Sequence, residues 1–130
     1  MSFADYWENE VLDHIMNDGA YSAPTIYVGL STADPGEDAS GLAEPSGSGY
    51  ARVATDADDW NAAASGSKTN ANAITFPTAT GAWGTVTHFA LFDALSGGNM
   101  LASAALDSSE AITTNQIPRF PAGDLAVTLG

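Results

Sequence analysis

The sequence predicts a mainly β domain, an antiparallel β-sandwich or jelly roll preceded by one short α-helix. Three observations predict it. Residues Thr85 to Asp93 read Thr-Val-Thr-His-Phe-Ala-Leu-Phe-Asp, a run rich in the β-branched and aromatic side chains that fit a pleated surface. Alternation sends Val86, His88, Ala90 and Phe92 to one face and Thr87, Phe89 and Leu91 to the other. Large apolar groups on both faces mean that both are covered, by two layers or by one layer and a neighbouring subunit. About seven or eight short runs of this kind follow one another, punctuated by Gly, Pro, Ser and Asn, which is the spacing of a sandwich. Helical spacing occurs only at the N-terminus.

The helix is predicted over 2–18. Phe3, Trp7, Val11 and Ile15 recur every four residues, and Leu12 and Met16 widen the stripe. Ser2 is the expected cap, with Asp5 in a weak capping-box position, and Gly19 is the expected stop. A helix this short is marginal alone in water, so its aromatic stripe has to dock on something. The β region is predicted over 25–129. Thr25–Ser31 alternates Ile26, Val28 and Leu30 against Tyr27, Gly29 and Ser31. Strands are expected at Tyr50–Thr55, Asn72–Phe76, Trp83–Asp93 and Met100–Leu106, with a hairpin turn at Ser96–Asn99. Glu110–Thr113 and Ile117–Phe120 are short, and Pro118 and Pro121 point to an edge or a bulge. Asp124–Leu129 turns Leu125, Val127 and Leu129 inward. Between strands, 34–49 is a long acidic loop rich in Gly and Pro, with Leu42 as its one sizeable apolar anchor. Such a loop is a mobile surface segment or an arm that reaches a neighbour. Residues 62–73 read as a second flexible stretch.

At 130 residues the chain forms one domain. It contains no cysteine, which excludes disulfides, thiolate nucleophiles and zinc–thiolate sites. The start, Met-Ser-Phe-Ala-Asp, shows no secretory signal, and no run approaches the ~20 apolar residues of a membrane span. Sixteen acids against three bases give a net charge of −13, and twelve of those acids precede Trp60. Such a surface repels nucleic acid and anionic membranes, so neither is expected as a partner. It reads as a solvated acidic face, with cation binding as the second reading.

The residues offer little catalytic chemistry. The only histidines, His14 and His88, fall on the helix and mid-strand, and no nucleophile elbow sits between a predicted strand and helix. His88 reads as a packed histidine bonded to a backbone carbonyl. Asp56, Asp58 and Asp59 read as a turn bonded to its own backbone. The Asp34–Asp38 run lacks the glycine and terminal glutamate of an EF-hand loop. Trp60, Trp83 and Tyr50 fill core edges or form a sugar-stacking platform. The expectation is therefore a non-enzyme with no cofactor and no metal.

Five blocks taken together resemble a known family: Tyr6–His14, Pro24–Thr32, Gly49–Val53, Ala73–Pro77 and Trp83–Asp93. They are similar, in this order along the chain, to small tailed-phage virion proteins labelled "tail fibre protein". The resemblance implies a non-enzymatic β protein that is assembled in the host cytoplasm and resides in the virion. Its partners would be other virion proteins, the major capsid protein or tail proteins, and copies of itself, with a trimer as the expected number. Long fibres are built from repeats or coiled coils, and this chain has neither. The first expectation is therefore a capsid decoration (cement) protein. The alternatives are a tail, collar or fibre subunit and, from another class, a carbohydrate-binding module for host attachment. The expected assembly contacts are Phe3, Trp7, Val11 and Ile15 of the stripe, Leu42 of the acidic loop, Phe92, and the scarce cations Arg52 and Arg119, which should pair with carboxylates within or between subunits.

Overall fold

A computed structural model describes residues 1–17 and 19–129. The element order is β1 (Ser2–Phe3), α1 (Asp5–Ile15), β2 (Tyr27–Ser31), β3 (Val53–Ala54), a 3₁₀ turn (Ala57–Asp59), β4 (Ser67–Thr69), β5 (Ile74–Thr75), β6 (Gly84–Phe92), β7 (Met100–Ile112), β8 (Arg119–Phe120) and β9 (Ala126–Thr128). One five-stranded sheet runs β1-β7-β6-β2-β3, and two ribbons pair β4 with β9 and β5 with β8. Every pairing is antiparallel. The mainly β class with one N-terminal helix is as predicted.

The central register explains the two apolar faces of β6. Val28 lies opposite Leu91 and Leu30 opposite Phe89, while Tyr27 lies opposite Phe92 and Gly29 opposite Ala90. The first set joins Ile74, Phe76, Leu101 and Leu125 in the main core, so the two ribbons cover that face. The second set forms a smaller core of Ala90, Phe92, Met100 and Ala4, closed by Tyr27, Ala39 and Leu42. The acidic loop is thus the lid of the second face. Asx turns at Asp34 and Asp38 shape it, Gly41 N–H donates to Pro35 O, and Thr32 N–H and Trp83 Nε1 donate to Ala43 O and Ser48 O. Gly41 is required there, because a Cβ would collide with the Asp34 carbonyl. Composition hid this order, since the loop is held by scattered turn and side-chain bonds and not by a ladder.

Several boundaries differ from expectation. Ser2 and Phe3 form β1, opposite Ser103 and Ala102 of β7, so the helix starts at Asp5. Its N-cap is Ala4, with no side-chain cap, because burying Ala4 against the sheet outweighs the propensity of Ser2. The helix closes at Met16, and Asn17 takes the left-handed stop (φ 62°) that Gly19 was expected to supply. Asp18, the last residue of the predicted helix, lies outside the described residues. Val86 packs with Phe89 and Leu91 instead of Ala90 and Phe92. The cause is a register break, in which Val86 pairs with Glu110 but His88 pairs with Ala105, and such bulges rotate the strand locally. The same break fuses the predicted strands at Met100–Leu106 and Glu110–Thr113 into β7. Residues 67–69, expected to be flexible, form β4. Asn70, fully buried, stitches the ribbons together by donating to Asn72 O and Pro121 O and accepting from Leu125 N–H.

Arg52, Glu44 and Tyr50 form a polar knot at one margin of the sheet. The guanidinium forks onto both Glu44 oxygens, donates to Ala94 O (2.7 Å) and Gly97 O (2.9 Å), and lies 3.5 Å from the Phe92 ring centre. The Tyr50 hydroxyl donates to Glu44 Oε2 and accepts from Leu30 N–H (2.9 Å). Burial, helped by the Glu44 carboxylate and opposed by the Leu30 N–H, raises Tyr50 well above the usual 10.0. In the unfolded chain the phenol ionises near its ordinary value, so above it unfolding releases a proton and stability falls as pH rises. Burial raises Tyr6 and Tyr21 as well, with the same sign. Tyr50→Phe should therefore flatten the loss of stability between about pH 9 and about pH 11 in urea titrations. At neutral pH it should cost roughly 1–3 kcal/mol for the orphaned Leu30 N–H.

Candidate assembly surface

The stripe on α1 is where the fold leaves apolar surface uncovered. Phe3 and Trp7 stack with ring centres 4.4 Å apart, which fixes the helix against β1. From there the stripe emerges into solvent. Phe3, Trp7 and Val11 are half-buried, Leu12 and Ile15 are 58% and 65% exposed, and Met16 is 75% exposed. No residue of α1 is fully buried. Leu129, predicted to face inward, is 60% exposed beside this stripe, whereas Leu125 is buried. Leu129 lies one residue beyond β9, its N–H still donating to Gly66 O while its side chain faces solvent.

Two depressions continue the stripe. One, of about 490 Å³, lies between Val11, Leu12 and Ile15 of the helix and Thr128 and Leu129. The other, of about 390 Å³, is walled by Trp7, Pro24, Ile26, Trp60, Leu91 and Val127, with almost no polar surface. Both include Phe3, Thr128 and Leu129, so they form one tract, apolar around Trp7 and Trp60 and edged by Ser2 and Glu8 along the helix. Lys68 stands at its edge, its ammonium donating to Asn61 O. Trp7 Nε1 and the Tyr21 hydroxyl are buried with no hydrogen-bond partner among the described residues. Contiguous apolar surface of this kind marks an interaction site on a folded chain.

Of the expected contact residues, Phe3, Trp7, Val11 and Ile15 are brought together here. Leu42, Arg52 and Phe92 are not. Phe92 is 1% exposed and Leu42 packs on its cluster. Arg52 is 7% exposed and pairs with Glu44 of its own chain. These three hold the acidic loop down within the chain. Arg119 is exposed, lies in a separate cleft, and has no ion-pair partner among the described residues. Trp60 and Val127 join the tract unforeseen, because only the pairing of β4 with β9 brings them to the helix.

The remaining chemical candidates are structural. Asp56 accepts from Asp58 N–H and Asp59 accepts from Asp56 N–H, a capping box on the 3₁₀ turn, as the sequence suggested. His88 Nδ1 shares a hydrogen bond with Thr87 Oγ1, not with a backbone carbonyl, and Nε2 lies 3.8 Å from Asp34. Trp83 is 5% exposed and set edge-on to Tyr50, which removes it from any sugar-stacking platform. Among the described residues no helix is long and apolar enough to cross a membrane, and no group of three or more acidic or histidine side chains is placed to hold a metal ion.

The family model described as Podophage GP4 fiber I protein gp80 matches residues 2–128. A comparison with curated proteins finds no match.

Proposed function

The chain belongs to the Podophage GP4 fiber I protein gp80 family, and on that premise we propose that it is a structural subunit of a podophage fibre. In this reading it joins copies of itself and other virion proteins through the apolar tract on α1 and makes or breaks no bond. The observation that carries the reading is the exposed run of Leu12, Ile15 and Met16 beside Leu129 on an otherwise strongly acidic chain. Covering each large side chain gives roughly 1.5–3 kcal/mol. Four of them supply an amount comparable to the ~4–15 kcal/mol that association costs. The tract is therefore large enough to hold a complex, provided that Phe3, Trp7 and Trp60 are covered with it.

A fibre position is favoured over a place on the head because the family description names a fibre. The head-decoration expectation rested on the lack of shaft repeats, and a compact fibre-base or collar subunit meets that condition equally well. Immunogold or cryo-electron microscopy of the particle separates the two, since labelling of the capsid faces would reverse the choice.

Assembly is tested with Leu12→Asp combined with Ile15→Asp. Both positions are exposed in the single chain, so the fold should survive. The wild-type chain should elute as a multimer by light scattering, three copies being expected, and the double variant as a single chain with an unchanged circular-dichroism spectrum. A wild-type chain that stays single at all concentrations, alone and with the purified tail, would sink the proposal.

A further inference from the structure

We infer that the recess walled by Trp7, Ile26, Trp60 and Val127 receives the end of α1 from a second copy of the chain, with Leu12 and Ile15 inserted and Glu8 set against Lys68. This pairing rests on the assembly reading above and names what the tract receives.

The recess calls for an apolar occupant. Its lining has almost no polar surface, and its volume is about 390 Å³. Apolar cavities of ~150 Å³ already take up benzene, so there is room for two aliphatic side chains. The large apolar side chains left exposed among the described residues are Leu12, Ile15 and Met16 on the helix, and Leu95, Ile117 and Leu129. Only the helix presents three of them together, at the i, i+3 and i+4 spacing that places them on one face. In their own chain Leu12 and Ile15 line the neighbouring depression and not the recess. Each copy thus carries an apolar projection and an apolar recess, and within one copy neither fills the other. Projection and recess are different parts of the surface, so one copy gives and the next receives, the head-to-tail contact from which rings are closed.

Charge favours a second copy over a foreign partner. With sixteen acids and three bases, two copies repel unless a cation lies where they meet. Arg52 is buried on Glu44, and Arg119 lies in a separate cleft. Lys68 is the third base. It is exposed on the rim of the recess and in no ion pair among the described residues. Glu8 stands about one turn before Leu12. It lines the same depression as Leu12 and Ile15, and it too is exposed and in no ion pair among the described residues. Laying the row of Leu12 and Ile15 into the recess of the next copy carries Glu8 to the rim, where Lys68 is the one cation that can meet it. A foreign partner with a basic rim would gain from Glu8 but be opposed by Lys68.

The test makes Lys68→Glu and Glu8→Lys in the full chain, singly and together, and follows association by sedimentation over a concentration series. The two changes shift the net charge in opposite directions, so general repulsion alone would make the first weaken association and the second strengthen it. The pairing requires that each single change weaken association about tenfold. It also requires that the two together restore it to within about threefold of wild type. Circular-dichroism spectra should not change, since both side chains are exposed. Opposite effects of the single changes, no effect of either, or a double variant without recovery would overturn the pairing while leaving the multimer, and the assembly reading, in place. So would a wild-type chain that associates only with the purified tail, which would give the recess to a foreign protein. A wild-type chain that stays single even with the tail would remove the assembly reading and the pairing together.

Discussion

Arg52→Ala should lower the stability of the domain by roughly 3–5 kcal/mol, the penalty for removing one partner of a buried ion pair. The guanidinium serves three segments at once. It neutralises Glu44 in the acidic loop, ties down the Ala94 and Gly97 carbonyls of the β6–β7 turn, and covers the face of Phe92. Truncation leaves the Glu44 carboxylate with the Tyr50 hydroxyl alone, takes the guanidinium from two carbonyls and opens the second core. Urea titration should show the loss as a lower midpoint, and thermal melting as a fall on the order of 10–20 °C for a chain of this size. Arg52→Lys should recover only part of it, because an ammonium cannot fork across both Glu44 oxygens while also reaching the turn. A midpoint within experimental error of wild type would show that the knot is not what fastens the loop.

Gly29→Val should be the next most damaging single change. A Cβ at Gly29 would sit 2.8 Å from the Phe92 ring, 3.0 Å from the Tyr50 hydroxyl and 3.2 Å from Glu44 Oε2. No close neighbour is free to withdraw, since the ring supports Arg52 and the two polar atoms are bonded to each other. Overpacking of this kind costs roughly 1–3 kcal/mol, with the loss of the Tyr50 bond to Leu30 N–H added as the tyrosine is displaced. Because both positions act on the same knot, Gly29→Val and Arg52→Ala together should cost clearly less than the sum of the two. Strict additivity in a double-mutant cycle would disprove the coupling.

The positions where prediction and structure agree share a physical basis. The alternation of Val28, Leu30, Phe89 and Leu91 is local and periodic, and so is the four-residue spacing of Phe3, Trp7, Val11 and Ile15, so both could be read from neighbours in the chain. The disagreements depend on distant partners. Ser2 and Phe3 leave the helix because β7 offers them a ladder. Arg52 and Phe92 look like contacts for another chain until Glu44 and Leu42 fold over them. The order in 34–49 comes from Asx turns, from Gly41 and from the Trp83 indole reaching Ser48, none of which has a period. Trp60 reaches the tract only after β4 finds β9, almost sixty residues later in the sequence. Four of the expected contacts were therefore visible as a stripe, and the depressions that complete the surface were not.

The break in β7 has a consequence for the way a chain proposed to assemble can meet other chains. Beyond Ser103 the outer margin of that strand has no neighbour among the described residues, and bare margins invite runaway stacking of chain upon chain. Leu106 to Ser109, four residues facing Thr87 alone, throw the hydrogen-bonding rungs out of step midway along it. An incoming strand could match one half or the other but not both, and Asp107 and Glu110 would confront its own acids. Growth by sheet extension is thereby discouraged at this margin.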